Sequence, residues 1–99
     1  MIYYDEAFIR NYTDGFYVTL TRIGTRVFFY GSLIAKPSHT YKSIIPEKFR
    51  PKQNVQVIWN LIDTTLYPIV LNIDSNGVIK SINNPNNLVA SGITIWETN

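Results

Sequence analysis

The sequence contains no cysteine and one histidine, His39, which excludes disulfides, thiolate metal sites and a histidine-rich metal centre. Charge is scarce as well. Asp, Glu, Lys and Arg make up 16% of the residues, against the ~25% usual in soluble domains. The net charge of +2 is carried by scattered Lys and Arg residues. Nucleic-acid binding needs cations clustered in register with successive phosphates, so nucleic acid is not an expected partner. No apolar run approaches the ~20 residues of a bilayer-spanning helix, and membrane insertion is not expected. The opening Met1-Ile2-Tyr3-Tyr4-Asp5-Glu6 lacks the basic-then-apolar layout of a secretory signal. Helix formers are few, with 3 Ala and 6 Leu.

What is present is β-branched and aromatic. There are 14 Ile, 7 Val and 9 Thr, and 14% of the residues are Phe, Trp or Tyr. Branching at Cβ restricts a side chain on a helix and suits a pleated sheet. Ninety-nine residues fit one domain, 1–99, standing alone or as the C-terminal module of a longer chain. A chain this short buries only about 60–65% of its unfolded surface. Its surplus of rings therefore predicts a subunit interface.

The periodicity predicts strands throughout. Phe16, Val18 and Leu20 alternate with Tyr17, Thr19 and Thr21. After the turn-like Ile23-Gly24-Thr25 a strand runs from Arg26 to Ile34 with both faces apolar, so both are expected to be covered. Further strands are expected over His39 to Ile45, Asn54 to Ile62, Thr65 to Asp74, Val78 to Ile82 and Leu88 to Trp96. Ala7 to Asn11 is a further candidate. Pro68 places its strand at an edge or a bulge, and Gly92 marks a second candidate bulge. Asp74-Ser75-Asn76-Gly77 is the strongest hairpin signal, since Asn-Gly readily takes positive φ. Pro46 and Pro51 bracket a loop that cannot lie inside a sheet. Seven to eight short antiparallel strands punctuated by turns predict an all-β domain, a β-sandwich of jelly-roll or Greek-key type.

The chemistry-bearing residues point away from catalysis. Ser38 and His39 are neighbours on a strand and face opposite ways, so they do not form a hydrolase pair; His39 reads as an exposed polar residue. One histidine without cysteine cannot fill a zinc site, and no metal or cofactor is expected. The acids Asp5, Glu6, Asp14, Glu47, Asp63, Asp74 and Glu97 all fall in predicted turns, loops or the termini, the ordinary place for solvated carboxylates rather than a glycosidase pair. Asp74-Ser75-Asn76-Gly77 lacks the glycine position and closing Glu of a calcium loop. The triplet Asn11-Tyr12-Thr13 matches a glycosylation acceptor, a pattern common by chance.

The aromatics carry more. Trp59, with Asn60 and Asp63 beside it and Tyr67 across a predicted turn, forms the best local cluster for a saccharide. A flat ring covers the apolar face of a pyranose, and amides and carboxylates take its hydroxyls. Against this, Trp59 shares a strand face with Val55, Val57 and Leu61, the pattern of a core residue. Phe28, Tyr30 and Ile34 read as a subunit contact, because interfaces favour rings over charge.

From Gly24 to Trp96 the chain resembles the C-terminal module of bacteriophage tail-fibre and baseplate proteins. The matching residues are Gly24-Thr25-Arg26-Val27 and Tyr30-Gly31, the loop Ile45-Pro46-Glu47-Lys48-Phe49-Arg50-Pro51, and the hairpin Val70-Leu71-Asn72-Ile73-Asp74-Ser75-Asn76-Gly77-Val78-Ile79. Lys48 departs from the glycine common before the aromatic. The resemblance implies a trimeric β-sandwich in the virion, assembled in the bacterial cytoplasm and acting in host attachment without catalytic residues. Its expected partners are further copies of itself, other tail or baseplate proteins and a host cell-surface saccharide. It further implies that Phe49 plugs one end of the domain while Arg50 bonds nearby carbonyls or a carboxylate. Two other functions fit the residues: a trimer-forming scaffold that holds other receptor-binding proteins, and a carbohydrate-binding domain of a secreted bacterial hydrolase, which is expected to be monomeric.

Overall fold

The computed structural model describes residues 2–62 and 68–99. Eight strands follow one another: β1 (Tyr4–Asn11), β2 (Phe16–Ile23), β3 (Arg26–Ala35), β4 (His39–Ile44), β5 (Val55–Leu61), β6 (Ile69–Ile73), β7 (Val78–Ser81) and β8 (Leu88–Glu97). Among the described residues the one departure from strand and loop is a single 3-10 turn at Glu47–Phe49. The all-β expectation holds, at the upper strand count. All pairings are antiparallel, in the order β1-β2-β3-β8-β5-β6-β7-β4, and the sheet curls nearly into a barrel.

β5 makes the curl possible. Its first five residues, Val55 to Trp59, pair with Ile73 to Ile69 of β6, while Asn60 and Leu61 pair with Ser91 and Ala90 of β8. One strand thus belongs to both halves of the sheet and turns the corner between them. The core fills from inward residues two apart: Phe16, Val18 and Leu20 on β2, then Val57, Trp59 and Leu61 on β5. Phe29 sits at the centre, with ring centroids 5.1 Å from Trp59 and 5.4 Å from Trp96.

One glycine makes room for that centre and another for the close approach of β2. Gly31 and Gly92 face each other across β3 and β8. A Cβ on Gly92 would lie 2.7 Å from the Trp59 ring, and one on Gly31 would lie 2.3 Å from the Tyr17 carbonyl oxygen. Gly92 therefore stays in regular register instead of forming the expected bulge, and its missing side chain is the seat of Trp59.

Other expectations are also refined. Pro68 stands just before β6, and β6 pairs on both sides, with β5 and β7. The proline excludes itself from the strand rather than placing the strand at an edge. In the hairpin, Gly77 has φ of +82° and donates to the Asp74 carbonyl at 2.9 Å, while Asn76 keeps negative φ. The Asp74 carboxylate holds this turn by accepting from the Asn76 and Val78 amides. In the proline-bracketed loop Phe49 is buried, its carbonyl accepts from Trp96 Nε1 at 2.7 Å, and Arg50 Nε donates to the Ile45 carbonyl at 2.8 Å.

Candidate assembly face and the groove at its end

The three residues read as a subunit contact, Phe28, Tyr30 and Ile34, all lie on the outward side of β3, between the buried positions Val27, Phe29, Leu33 and Ala35. Phe28 and Ile34 are half-buried by their neighbours, and Tyr30 is 38% exposed. None of them enters the core. Register places them in rows that cross the sheet: Phe8, Thr19, Tyr30 and Ile93 form one row, and Glu6, Thr21, Phe28 and Ile95 the next. Ile34 faces Val89 in a third. Phe8 is 61% exposed, Ile93 59% and Ile95 53%.

Ile58 and Ile62 extend the same apolar surface onto β5. Charge is confined to its margins, with Arg26 and Glu97 paired at 3.5 Å at one end and Glu6 and Arg10 on β1. The outward positions of β2, β3 and β8 between them are apolar, aromatic, Thr or Ser. Full side-chain areas scaled by these exposures give an uncovered apolar surface on the order of 600 Å², at the top of the range for the largest patch on a monomer.

A groove of about 510 Å³ opens at the end of this face, lined by Arg26, Gln53, Asn54, Val55, Ile95 and Glu97 among others. It combines amides, a guanidinium and a carboxylate with an apolar wall, the set of groups that binds a hydroxyl-rich ligand. Neither Trp59 nor Asn60 lines it. Trp59 is 1% exposed, stacked on Phe29, and its Nε1 donates to Thr94 Oγ1 at 3.0 Å. No ring face is left for a sugar, and the core position implied by Val57 and Leu61 is the one observed. Asn60 is exposed on the opposite side of β5. Asp63 and Tyr67 lie outside the described residues.

A second polar centre was missed in the sequence. Asp14 sits in the turn after β1, where a solvated acid was expected, yet it is 2% exposed. Its Oδ2 accepts from the backbone amides of Lys42 and Ser43 on β4 at 2.7 and 3.2 Å. Its Oδ1 lies 3.2 Å from His39 Nε2 and 3.9 Å from Lys36 Nζ. His39 is correspondingly half-buried rather than exposed, with its ring edge-on to Tyr41 at 4.8 Å. The carboxylate thus takes the place of a neighbouring strand along the edge of β4. The only sequence signal was local: Asn11 Oδ1 accepts from the Asp14 amide at 3.0 Å and shapes the turn.

Tyr41 completes this corner, with its hydroxyl donating to the Ile34 carbonyl at 2.9 Å. Burial first, and the Asp14 charge second, push its phenol up to about 12. The folded form therefore holds a proton that the unfolded chain releases near pH 10, and stability falls as pH rises from about 10 to about 12. The loss is expected to reach roughly 2 kcal/mol. Denaturant titrations at both ends of that window check it, because Tyr41→Phe should remove this part of the slope.

No protein-family model matches the chain, and no curated protein matches it.

Proposed function

We propose that this domain is a non-enzymatic attachment module of a bacteriophage tail or baseplate, working in the virion as a homotrimer of jelly-roll-like sandwiches. The observation that carries the reading is the outward face of β2, β3 and β8, where rings and isoleucines lie uncovered and charge is kept to the rim. Stable interfaces have this anatomy, an apolar centre with a polar margin, and each partner buries about 800 Å². The resemblance of the Gly24-to-Trp96 segment to tail-fibre modules supplies the three-fold symmetry and the setting. Attachment would fall to the groove beside Gln53, Asn54 and the Arg26–Glu97 pair, where a cell-wall saccharide finds planar amides and charged hydroxyl partners. Many copies on one particle would turn weak single-site binding into avidity.

A scaffold role without sugar contact is the second reading, favoured by the burial of Trp59. Titration with host cell-wall polysaccharide separates the two, since only the first predicts saturable binding.

The assembly itself is tested by replacing the face. Tyr30→Arg combined with Ile93→Arg places two charges at the centre of the contact, and we expect the three-fold association to be lost with the fold unchanged. Sedimentation velocity, with near-ultraviolet circular dichroism as the folding check, reads this directly. An unaltered trimer would reject this face as the contact, and a monomeric unmodified protein would favour the secreted carbohydrate-binding domain.

A further inference from the structure

The two ends of the sheet are treated differently. At β4 the outward amides of Lys42 and Ser43 are occupied by Asp14. At β1 the edge is open. β1 pairs with β2 without interruption from Tyr4↔Ile23 to Asn11↔Phe16. The Gly24 amide donates to the Tyr3 carbonyl at 2.7 Å, which sets the odd residues of β1 as the ones bonded to β2. The backbone groups of Tyr4, Glu6, Phe8 and Arg10 therefore point away from the sheet. Of these, the Glu6 amide is held by Asp5 Oδ1 at 2.8 Å. Neither a proline nor a bulge interrupts the strand, and what guards this edge is the charge of Glu6 and Arg10.

Three of these residues carry a self-complementary pattern, Glu6-x-Phe8-x-Arg10. Set two copies of β1 antiparallel about a two-fold axis at Phe8. Each Glu6 then stands opposite the Arg10 of the other copy, the two Phe8 rings meet on the axis, and Ala7 faces Ile9. Every outward backbone group of Glu6, Phe8 and Arg10 gains a ladder partner. Shifting the register by two residues loses both charge pairs, leaving Glu6 against Phe8 and Arg10 against Tyr4. In the single chain Glu6 Oε1 accepts from the Tyr4 hydroxyl, and the Arg10 guanidinium donates to the Val18 carbonyl while lying against the Phe8 and Tyr17 rings. Docking exchanges part of these contacts for the reciprocal pairs.

We infer that β1 is a two-fold docking strand whose partner is β1 of a second copy of this chain, joined by main-chain bonds and by reciprocal Glu6–Arg10 pairs. The contact is isologous, as a two-fold interface must be. It runs along the strand edge, where Glu6 and Phe8 also mark the margin of the face centred on Tyr30 and Ile93, and it stands without that face. A chain using both contacts would join two trimers into a hexamer.

Charge reversal tests the register. Sedimentation velocity on the full chain is expected to show Glu6→Arg alone, and Arg10→Glu alone, halving the assembly mass, because each sets like charges opposite one another twice. The double variant Glu6→Arg/Arg10→Glu restores the pairs and should restore the unmodified mass. Single variants that leave the mass unchanged overturn the inference, and so does a double variant that fails to recover it. The Tyr30/Ile93 substitutions act on the three-fold step alone, so a three-fold step that survives them with the charge-swap pattern intact rejects the face and keeps the edge.

Discussion

Asp14→Ala is expected to destabilise the domain by roughly 3 kcal/mol, a large share of the 5–15 kcal/mol that holds a small domain together. The substitution removes one acceptor and leaves two strand amides, on Lys42 and Ser43, without a partner. It also removes the anion beside His39 and Lys36. Truncating one side of a buried, hydrogen-bonded charge costs more than the net worth of the contact, because the groups left behind keep their desolvation penalty. Asp14→Asn retains one carbonyl oxygen and should recover part of the loss. Urea denaturation of the three proteins measures this; a change under 1 kcal/mol for alanine would show that water replaces the carboxylate freely. Because β4 carries Asp14 as its edge partner, amide exchange in Lys42 and Ser43 should accelerate more than exchange in β2 or β3.

The second large effect is expected at Gly31. Its φ of +141° lies where side chains are strained, and a Cβ there would sit 2.3 Å from the Tyr17 carbonyl oxygen and 2.8 Å from Val18 Cα. Both are backbone atoms of β2, which cannot rotate away as a side chain does. Gly31→Ala must therefore separate β2 from β3 or change the local backbone, at a cost we place at about 3 kcal/mol or more. Gly92→Ala, across the ladder, meets the Trp59 ring instead. A ring can tilt, so about 1–2 kcal/mol is expected there, together with a shift in Trp59 fluorescence. Thermal melts of the two variants give the comparison. Equal costs would contradict the distinction between backbone and side-chain obstruction.

The strands with strict alternation were legible in the sequence. Phe16 to Arg22 and Asn54 to Ile62 lie within a residue of β2 and β5, since a half-buried strand must alternate. The hairpin at Asp74–Gly77 and the proline-bracketed loop carry local turn chemistry and were equally plain. What escaped depends on residues far apart in the chain. Asp14 reads as a turn acid because nothing near it announces that β4 arrives 28 residues later to bury it. Gly92 reads as a bulge because its reason, the Trp59 ring, sits on another strand. The insertion of β8 between β3 and β5 leaves no trace in periodicity, and with it the alignment of Tyr30, Ile93 and Ile95 on one outward face. Phe28, Tyr30 and Ile34 were recognisable as too apolar for an exposed strand side. The neighbours that make them a patch came only with the register. Trp59 was ambiguous in the sequence, and the packing of Phe29 against it resolves the ambiguity in favour of the core.

Copies of this chain are expected to cover one another's apolar outer face. The most direct measurement is the mass of the unmodified protein at tens of micromolar, by sedimentation equilibrium. Three chains are expected, or six where the β1 edges also join. A single 11.4 kDa species across that range, with Tyr30 and Ile93 fully accessible to solvent, would contradict it.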